Sequence, residues 1–268
     1  MTLPPQVLRA TTTFLAAIDG SSPHLVEGLY LHGSLGFGEF YPGHSDIDYV
    51  AVLARPPDAA TIAALAAAHQ VVRERFPQPD FDGFHIQRSD LTRPPASCPD
   101  LPCTQGGVFQ EAGRFDLNPV TWHELARHGL AVRGPALSEE QVWTDDAALR
   151  AYSHGNLAGY WTGVVHSLVQ RPKKASTAEA TEWCVLGVSR LHHLLATGTL
   201  TSKSGAGRYA LTAFEPRWKP IITEALRIRE IRSTRSPYAD APERRGQDTT
   251  AFTSMAVEAG LALGPQPG

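Results

Sequence analysis

The sequence predicts an α+β protein in which a sheet-containing domain is followed by an all-α domain. Its 268 residues are long for one domain and comfortable for two. Strand patterns, with β-branched and alternating apolar residues, occur only in about the first 145 residues. The apolar residues that follow recur with helical spacing. We therefore expect a first domain over residues 1–145 and a helical domain over residues 146–268.

The first domain is predicted to alternate helices and strands. In order, we expect a helix over 4–18, strands over 25–32 and 46–54, a helix after Asp58, a strand over 81–87, a helix opened by Asn118-Pro119, and a strand over 130–133. Asp58 and Asn118 are favourable helix caps, and proline is tolerated at the first helical position. The stretch from Arg88 to Asp116 is rich in Pro and Gly and has little periodicity, so it is predicted to be a long loop.

The second domain is predicted to consist of helices over 147–169, 178–197, 206–213 and 216–232. The charged, Pro-containing stretch over 233–248 is predicted to be an exposed loop before a final helix.

Composition excludes several classes of partner. The net charge of −3 gives no basic surface for nucleic acid. No apolar run approaches the roughly 20 residues that span a bilayer, and the N-terminus lacks the apolar core of a signal peptide. Three cysteines without paired spacing argue for a reducing compartment. We expect a cytoplasmic protein with no membrane or nucleic-acid partner, and composition says nothing about its oligomeric state.

The segment from Leu31 to Leu53, LHGSLGFGEFYPGHSDIDYVAVL, contains the most informative motif. A predicted strand leads into Gly33-Ser34, where a glycine allows close approach of the backbone to a ligand. Backbone amides and a serine hydroxyl can then bind phosphate oxygens. Gly36 and Gly38 follow, but this order is neither the dinucleotide fingerprint nor a P-loop. A glycine-rich turn alone would equally fit a flexible connector.

Two aspartates open the next predicted strand. Residues i and i+2 of a strand point to the same face, so Asp46 and Asp48 share a face that continues with Val50 and Val52. Like charges at the border of a core repel each other unless a cation lies between them. Mg²⁺ prefers such oxygen ligands and also bridges substrate phosphates. A lone pair of solvated aspartates is the alternative, but the preceding Gly-Ser turn favours a metal and phosphate site.

These motifs resemble the nucleotidyltransferase superfold of DNA polymerase β, in which G-S is followed by S-D-I-D and an apolar strand. The chain is similar in particular to the aminoglycoside adenylyltransferases that modify streptomycin and spectinomycin. The stretch WCVLGVSRLHHLLATGTLTSKSGAGRYAL over 183–211 resembles their C-terminal signature, and Arg-Gly-Pro at 133–135 also has a counterpart. The resemblance covers most of residues 25–232. It implies a mixed β-sheet flanked by helices and then a helical bundle.

The resemblance also implies an activity, namely Mg²⁺-dependent transfer of AMP from ATP to a hydroxyl of a small acceptor. Asp46 and Asp48 would bind Mg²⁺. A third carboxylate, which would be Asp82 here in place of a glutamate, would bind metal or take the proton of the acceptor hydroxyl. His85 is the reserve candidate for the base, because an imidazole titrates near neutral pH.

The same resemblance implies the residues that bind the nucleotide. Gly33, Ser34 and Ser45 would hold the triphosphate, and Arg190 and Lys203 would contact the phosphates. Cations at these positions suit phosphoryl transfer, which depends on positioning and charge stabilisation. The alternatives are a surface ion pair for Arg190 and a solvated loop position for Lys203.

Acceptor contacts are implied for Glu179, Glu182, Trp183 and Trp122, because a cationic aminocyclitol suits carboxylates and aromatic walls. Each of them could instead be a surface acid or a core aromatic residue. Two other functions remain open, namely an enzyme of the same fold that adenylylates a protein and a nucleotide-binding module without turnover.

Overall fold

The computed structural model describes residues 3–138 and 140–264. Within them the chain forms two compact units, which meet in sequence between Asp145 and Asp146. We call them the first and second unit and describe each by itself.

The first unit contains a mixed six-stranded sheet. Its strands are β1 Val26–Leu31, β2 Ile47–Leu53, β3 Phe81–Gln87, β4 Leu101–Gln105, β5 Val108–Gly113 and β6 Leu130–Arg133. The order across the sheet is β5-β4-β3-β2-β1-β6. Strands β2 and β3 run parallel, whereas the other neighbouring pairs are antiparallel. The central pair β2 and β3 therefore begins at the same edge of the sheet.

The helices of the first unit connect these strands. They are α1 Pro5–Ser21, α2 Gly33–Gly36, α3 Ala59–Arg75, α4 Arg88–Leu91, a 3₁₀ turn Pro95–Ser97 and α5 Pro119–His128. Helix α3 begins where predicted, because the Asp58 carboxylate accepts a hydrogen bond from the Thr61 amide at 2.8 Å. Helix α5 likewise begins after Asn118, whose side chain accepts from the amides of Val120 and Thr121.

Helices cover both faces of the sheet. On one face, Tyr49 and Phe81 pack with Phe14 of α1 and Leu65 of α3. On the other face, the buried residues of the sheet pack against Trp122 and Leu125 of α5, namely Tyr30, Val50, Val52, Phe84 and Ile86. Strand alternation extends this second face to Asp48 and Asp82, so α5 covers the face that carries these carboxylates.

The predicted long loop before α5 is wrong in its second half. Strands β4 and β5 form a hairpin around Gly106-Gly107, and both glycines have positive φ values, 59° and 66°. Two consecutive residues with positive φ make the two-residue turn that matches the twist of paired strands. Paired glycines were therefore a hairpin signal that the overall Pro and Gly content concealed.

The regular secondary structure in the described part of the second unit is helical. It comprises α6 Asp146–Asn156, a π-helical turn Leu157–Trp161, α7 Thr162–Gln170, α8 Pro172–Ala175, α9 Ala178–Thr197, α10 Lys203–Ala213, a 3₁₀ turn Pro216–Trp218, α11 Lys219–Arg229 and α12 Pro242–Ala262. Helix α9 supplies Val185, Leu186 and Val188 to the core of this unit. The last helix begins at Pro242, so the loop predicted over 233–248 ends earlier than expected. The predicted α+β fold with a mixed, helix-flanked sheet and a helical second part is confirmed.

Within the described ranges, none of the helices combines the length and apolar character that crossing a membrane requires.

Candidate active site

The glycine–serine turn, Gly33-Ser34, lies directly against Asp48. Gly33 has a φ of 58°, and a Cβ built on it would lie 2.2 Å from Asp48 Oδ2. The His32 amide also donates to the Asp48 carbonyl at 3.1 Å. Only glycine leaves room for the carboxylate here, so the turn and the acidic strand form one local structure.

Asp46 and Ser45 lie just before β2. Asp46 is exposed, whereas Ser45 is buried and its hydroxyl accepts from the Tyr41 amide at 3.1 Å. The Ser45 amide donates in turn to the Tyr41 carbonyl at 2.9 Å. In this structure Ser45 therefore closes the loop that delivers Asp46, and its expected contact with a nucleotide stays a prediction.

Asp82 is paired with Asp48 across the parallel strands β2 and β3. Both of its carboxylate oxygens accept hydrogen bonds from the hairpin turn, at 2.7 Å from the Gly106 amide and 2.8 Å from the Gly107 amide. Burial raises the pKa of Asp82, and although the two amides lower it, the net shift is upward. The hairpin that the sequence did not predict thus determines the orientation of the predicted base.

Three further ionisable groups, Glu124, His32 and Asp116, belong to this region and were not predicted from the sequence. Glu124 of α5 is 4% exposed, and its Oε2 accepts from His32 Nδ1 at 3.1 Å and from the Gly33 amide at 3.2 Å. Asp116 has a φ of 55° and lies two residues before the cap of α5. The sequence signal was present for Glu124, since it falls within the buried stripe of α5 that contains Thr121, Trp122 and Leu125.

These groups shift the titration of one another. Burial alone lowers the pKa of His32, but the hydrogen bond that it donates to Glu124 and the charges of Asp48, Glu124 and Asp116 raise it above its ordinary value. The pKa of Asp116 is raised to about 7. Burial is the main cause, the positive charge of His32 lowers this pKa, and the charges of Asp48, Glu124 and Asp82 raise it further. Concentrated carboxylates of this kind are typical of sites that bind a cation or transfer a proton.

The donor chemistry of this region fits Mg²⁺. No group of three or more His, Cys, Asp or Glu side chains in the described part of the chain is already arranged around a common ion position. The lack of such a group in the described residues does not count against Mg²⁺, because this ion is usually held by one or two carboxylates together with substrate phosphates and waters. Asp46 and Asp48 supply hard oxygen donors of this type.

His85, the reserve base, faces the opposite side of the sheet from Asp82. Its Nε2 lies 3.1 Å from His69 Nε2, and its Nδ1 donates to the Pro102 carbonyl at 3.0 Å. His69 also lies 3.1 Å from the Tyr49 hydroxyl. Burial lowers the pKa of His85 to about 4 and that of His69 well below its ordinary value. His85 is therefore a neutral core residue, which corrects its expected role.

The expected acceptor residues separate into buried and exposed groups. Trp122 is 0% exposed and stacks on Phe84 with ring centroids 5.7 Å apart, which corrects its expected role as an open aromatic wall. Glu182 is also buried, and it forms an ion pair with Arg229 at 3.2 Å. A buried carboxylate in such a pair supports the fold of the second unit and is not displayed to a ligand in this structure.

Glu179 and Trp183 remain accessible. Glu179 is exposed in the first turn of α9. Trp183 is 38% exposed and lies against Trp161, with centroids 4.7 Å apart. Tyr160 completes this aromatic surface of the second unit, with its ring 5.9 Å from Trp183.

Arg190 and Lys203 both lie in the second unit and are partly buried. Arg190 is on α9, and Lys203 is the first residue of α10 after the Ser202 cap. Their expected contacts with the nucleotide phosphates stay a prediction.

Comparisons with known proteins support the fold. No family model matches the sequence, and no curated protein matches it. Among solved structures, the chain is similar to that of a spectinomycin adenyltransferase, AAD(9) from Enterococcus faecialis, crystallised with ATP and spectinomycin. The likeness covers 94% of this chain and 99% of that chain, with a TM-score of 0.62 and 13% identity. The resemblance predicted from the sequence motifs is thereby confirmed at the level of the fold.

Proposed function

We propose that this protein is a Mg²⁺-dependent adenylyltransferase. It transfers AMP from ATP to a hydroxyl of a small aminoglycoside or aminocyclitol such as streptomycin or spectinomycin. The observation that carries the proposal is the contact of the Asp48 carboxylate with Gly33, together with the pairing of Asp48 and Asp82 on adjacent strands. A phosphate-binding turn beside paired carboxylates suits a nucleotide that arrives with a hard cation.

Each residue has a distinct part in the reaction. Asp46 and Asp48 would hold Mg²⁺, which would supply positive charge to offset that of the pyrophosphate leaving group. Asp82 takes the proton of the acceptor hydroxyl, whose oxygen forms a bond to the α-phosphorus as the bond to pyrophosphate breaks. Asp82 is suited to this role because burial raises its pKa by more than the hydrogen bonds from the Gly106 and Gly107 amides lower it.

Other residues extend the proposal to the rest of the substrates. Arg190 and Lys203 balance the charge of the phosphates. Glu179 and Trp183 remain as candidate acceptor contacts, since a carboxylate and an aromatic face both attract ammonium groups. Burial leaves Trp122 and Glu182 without such a role in the proposal.

A screen of acceptors tests the proposal. The protein is incubated with ATP, Mg²⁺ and either streptomycin, spectinomycin, other aminoglycosides or lincosamides, while pyrophosphate release and product mass are measured. We expect one acceptor to gain a single adenylyl group. Asp46→Ala should abolish transfer and keep cooperative unfolding, whereas Glu74→Ala, at an exposed acid on α3, should retain transfer. Transfer that survives Asp46→Ala would contradict the assignment.

The engagement of Asp82 by Gly106 and Gly107 specifically favours one competing function, a nucleotide-binding module without turnover. A carboxylate whose two oxygens are both bonded to amides has less capacity left to accept a proton. Binding of Mg²⁺–ATP without pyrophosphate release for every acceptor would establish that alternative. Adenylylation of a protein in the same assay, detected by intact mass, would instead indicate a macromolecular acceptor.

A further inference from the structure

Glu124 connects the helix that covers the acidic face of the sheet to the glycine–serine turn. A single carboxylate oxygen, Oε2, accepts both the Gly33 amide at 3.2 Å and the His32 ring nitrogen Nδ1 at 3.1 Å. Both side chains of the ion pair are at most 5% exposed. The two hydrogen bonds therefore fix one backbone amide and one ring at consecutive positions.

Helix α5 contacts the same turn at a second point. A Cβ on Gly36 would lie 2.7 Å from the His128 carbonyl oxygen, and the Phe37 ring lies 4.5 Å from the His128 ring. Residues 124 and 128 are one helical turn apart and lie on the same side of α5. Two successive turns of α5 thus support the segment from His32 to Phe37.

Polar atoms at the turn also lack protein partners. Within the described residues, His32 Nε2 and Ser34 Oγ are buried and make no hydrogen bond. His32 itself is 3% exposed. Because Nδ1 donates to Glu124, the ring orientation is fixed and Nε2 is directed away from Glu124. Unsatisfied buried polar atoms are costly, and they commonly mark positions that a ligand completes.

The charge of Glu124 has opposite effects on two buried neighbours. It favours the protonated form of His32, whose pKa it raises, and it disfavours the ionised form of Asp116, whose pKa it also raises. A neutral glutamine could accept the same two hydrogen bonds without adding like charge to a buried region. The charge nevertheless strengthens both hydrogen bonds, because a carboxylate is a better acceptor than an amide oxygen.

We propose that Glu124 is a positioning residue for the nucleotide. Its carboxylate holds the Gly33 amide and the His32 ring so that the glycine–serine turn keeps its phosphate-binding shape before ATP arrives. This inference rests on the proposed function, because it concerns the affinity of the turn for the triphosphate. It assigns no proton transfer to either side chain.

The test compares Glu124→Leu, Glu124→Gln and the matched control His123→Gln. His123 is the preceding residue of α5, is 0% exposed, and its Nε2 contacts the backbone of Asp145. The readouts are the dissociation constant of Mg²⁺–ATP by calorimetry, KM and kcat for AMP transfer, and amide exchange of a peptide covering residues 31–37.

We expect Glu124→Leu to weaken Mg²⁺–ATP binding by about 10- to 100-fold, as for other residues that hydrogen-bond to the groups in direct contact with a ligand. KM for ATP should rise more than kcat falls, and exchange at residues 31–37 should speed up beyond any global change. Glu124→Gln should recover most of the affinity. His123→Gln should lower the unfolding midpoint and leave ATP affinity unchanged.

Two results would overturn the inference while the proposed function stands. One is wild-type affinity for Mg²⁺–ATP in Glu124→Leu, and the other is an equal loss of affinity in His123→Gln. If the wild-type protein itself does not bind Mg²⁺–ATP, the proposed function fails, and the inference fails with it.

Discussion

Replacement of Gly33 by alanine tests the two features that make this glycine necessary, its positive φ and its close approach to Asp48. The residue has a φ of 58°, and an added Cβ would lie 2.2 Å from Asp48 Oδ2. An L-residue in the left-handed region costs roughly 1–2 kcal/mol. The second effect is the displacement of the carboxylate, because ordinary contacts with a Cβ begin at 3.4 Å.

The displacement of Asp48 determines the size of the effect on activity. Relief of the contact requires the carboxylate or the turn to move by about 1 Å, and a misplacement of that size can cost about 100-fold in rate. We therefore expect Gly33→Ala to lower kcat/KM for AMP transfer about 100-fold and the free energy of unfolding by about 1–2 kcal/mol.

Gly198→Ala is the matched control, because Gly198 has a φ of 73° with no other atom within 4 Å of its added Cβ. It should lose a similar amount of stability in urea unfolding and retain its rate of AMP transfer. If Gly33→Ala kept the wild-type rate, or if both variants lost activity equally, the proposed coupling between the turn and Asp48 would be refuted.

Three further predictions follow from the geometry. Asp82→Asn should lower kcat about 10²- to 10⁴-fold, as expected for the loss of a general base, with little change in the affinity for Mg²⁺–ATP; a loss below about threefold in single-turnover assays would exclude Asp82 as the base. His85 is neutral in the folded protein, and its pKa is lowered from 6.5 to about 4. Its contribution to the free energy of unfolding, roughly 3 kcal/mol, is therefore present above pH 6.5 and is lost as the pH falls towards 4. Unfolding of wild type and His85→Gln should therefore show a stability difference that shrinks over this range, and a constant difference would argue against a buried neutral imidazole. Lys203→Ala should raise KM for ATP, since this side chain is proposed to balance the charge of the phosphates; an unchanged KM would remove Lys203 from the nucleotide site.

The sequence was sufficient to predict the parts of the fold that local patterns control. Strand β3 occupies the predicted range, and its apolar residues Phe81, Phe84 and Ile86 are buried. Helices α3 and α5 begin at the predicted caps, Asp58 and Asn118, because these side chains satisfy the first amides of each helix. The proximity of the glycine–serine turn to Asp48 was also expected from the motif.

Long-range packing explains what the sequence did not reveal. The high Pro and Gly content of residues 88–116 concealed the hairpin of β4 and β5, whose turn amides hold Asp82. The partner of Glu124 lies 91 residues away along the chain, so no local pattern connects the two. Trp122 and Glu182 sit in sequence contexts that suit a ligand equally well, and only the folded packing shows that they are buried.

Calorimetric titration with ATP, with and without Mg²⁺, tests the central claim most directly. In the proposed reaction, the carboxylates at the glycine–serine turn bind the nucleotide through a divalent cation. Wild-type protein should bind ATP tightly only when Mg²⁺ is present, and Asp48→Asn should lose that Mg²⁺ dependence together with most of the affinity. Equal ATP affinity in both proteins, or binding that is indifferent to Mg²⁺, would contradict the account.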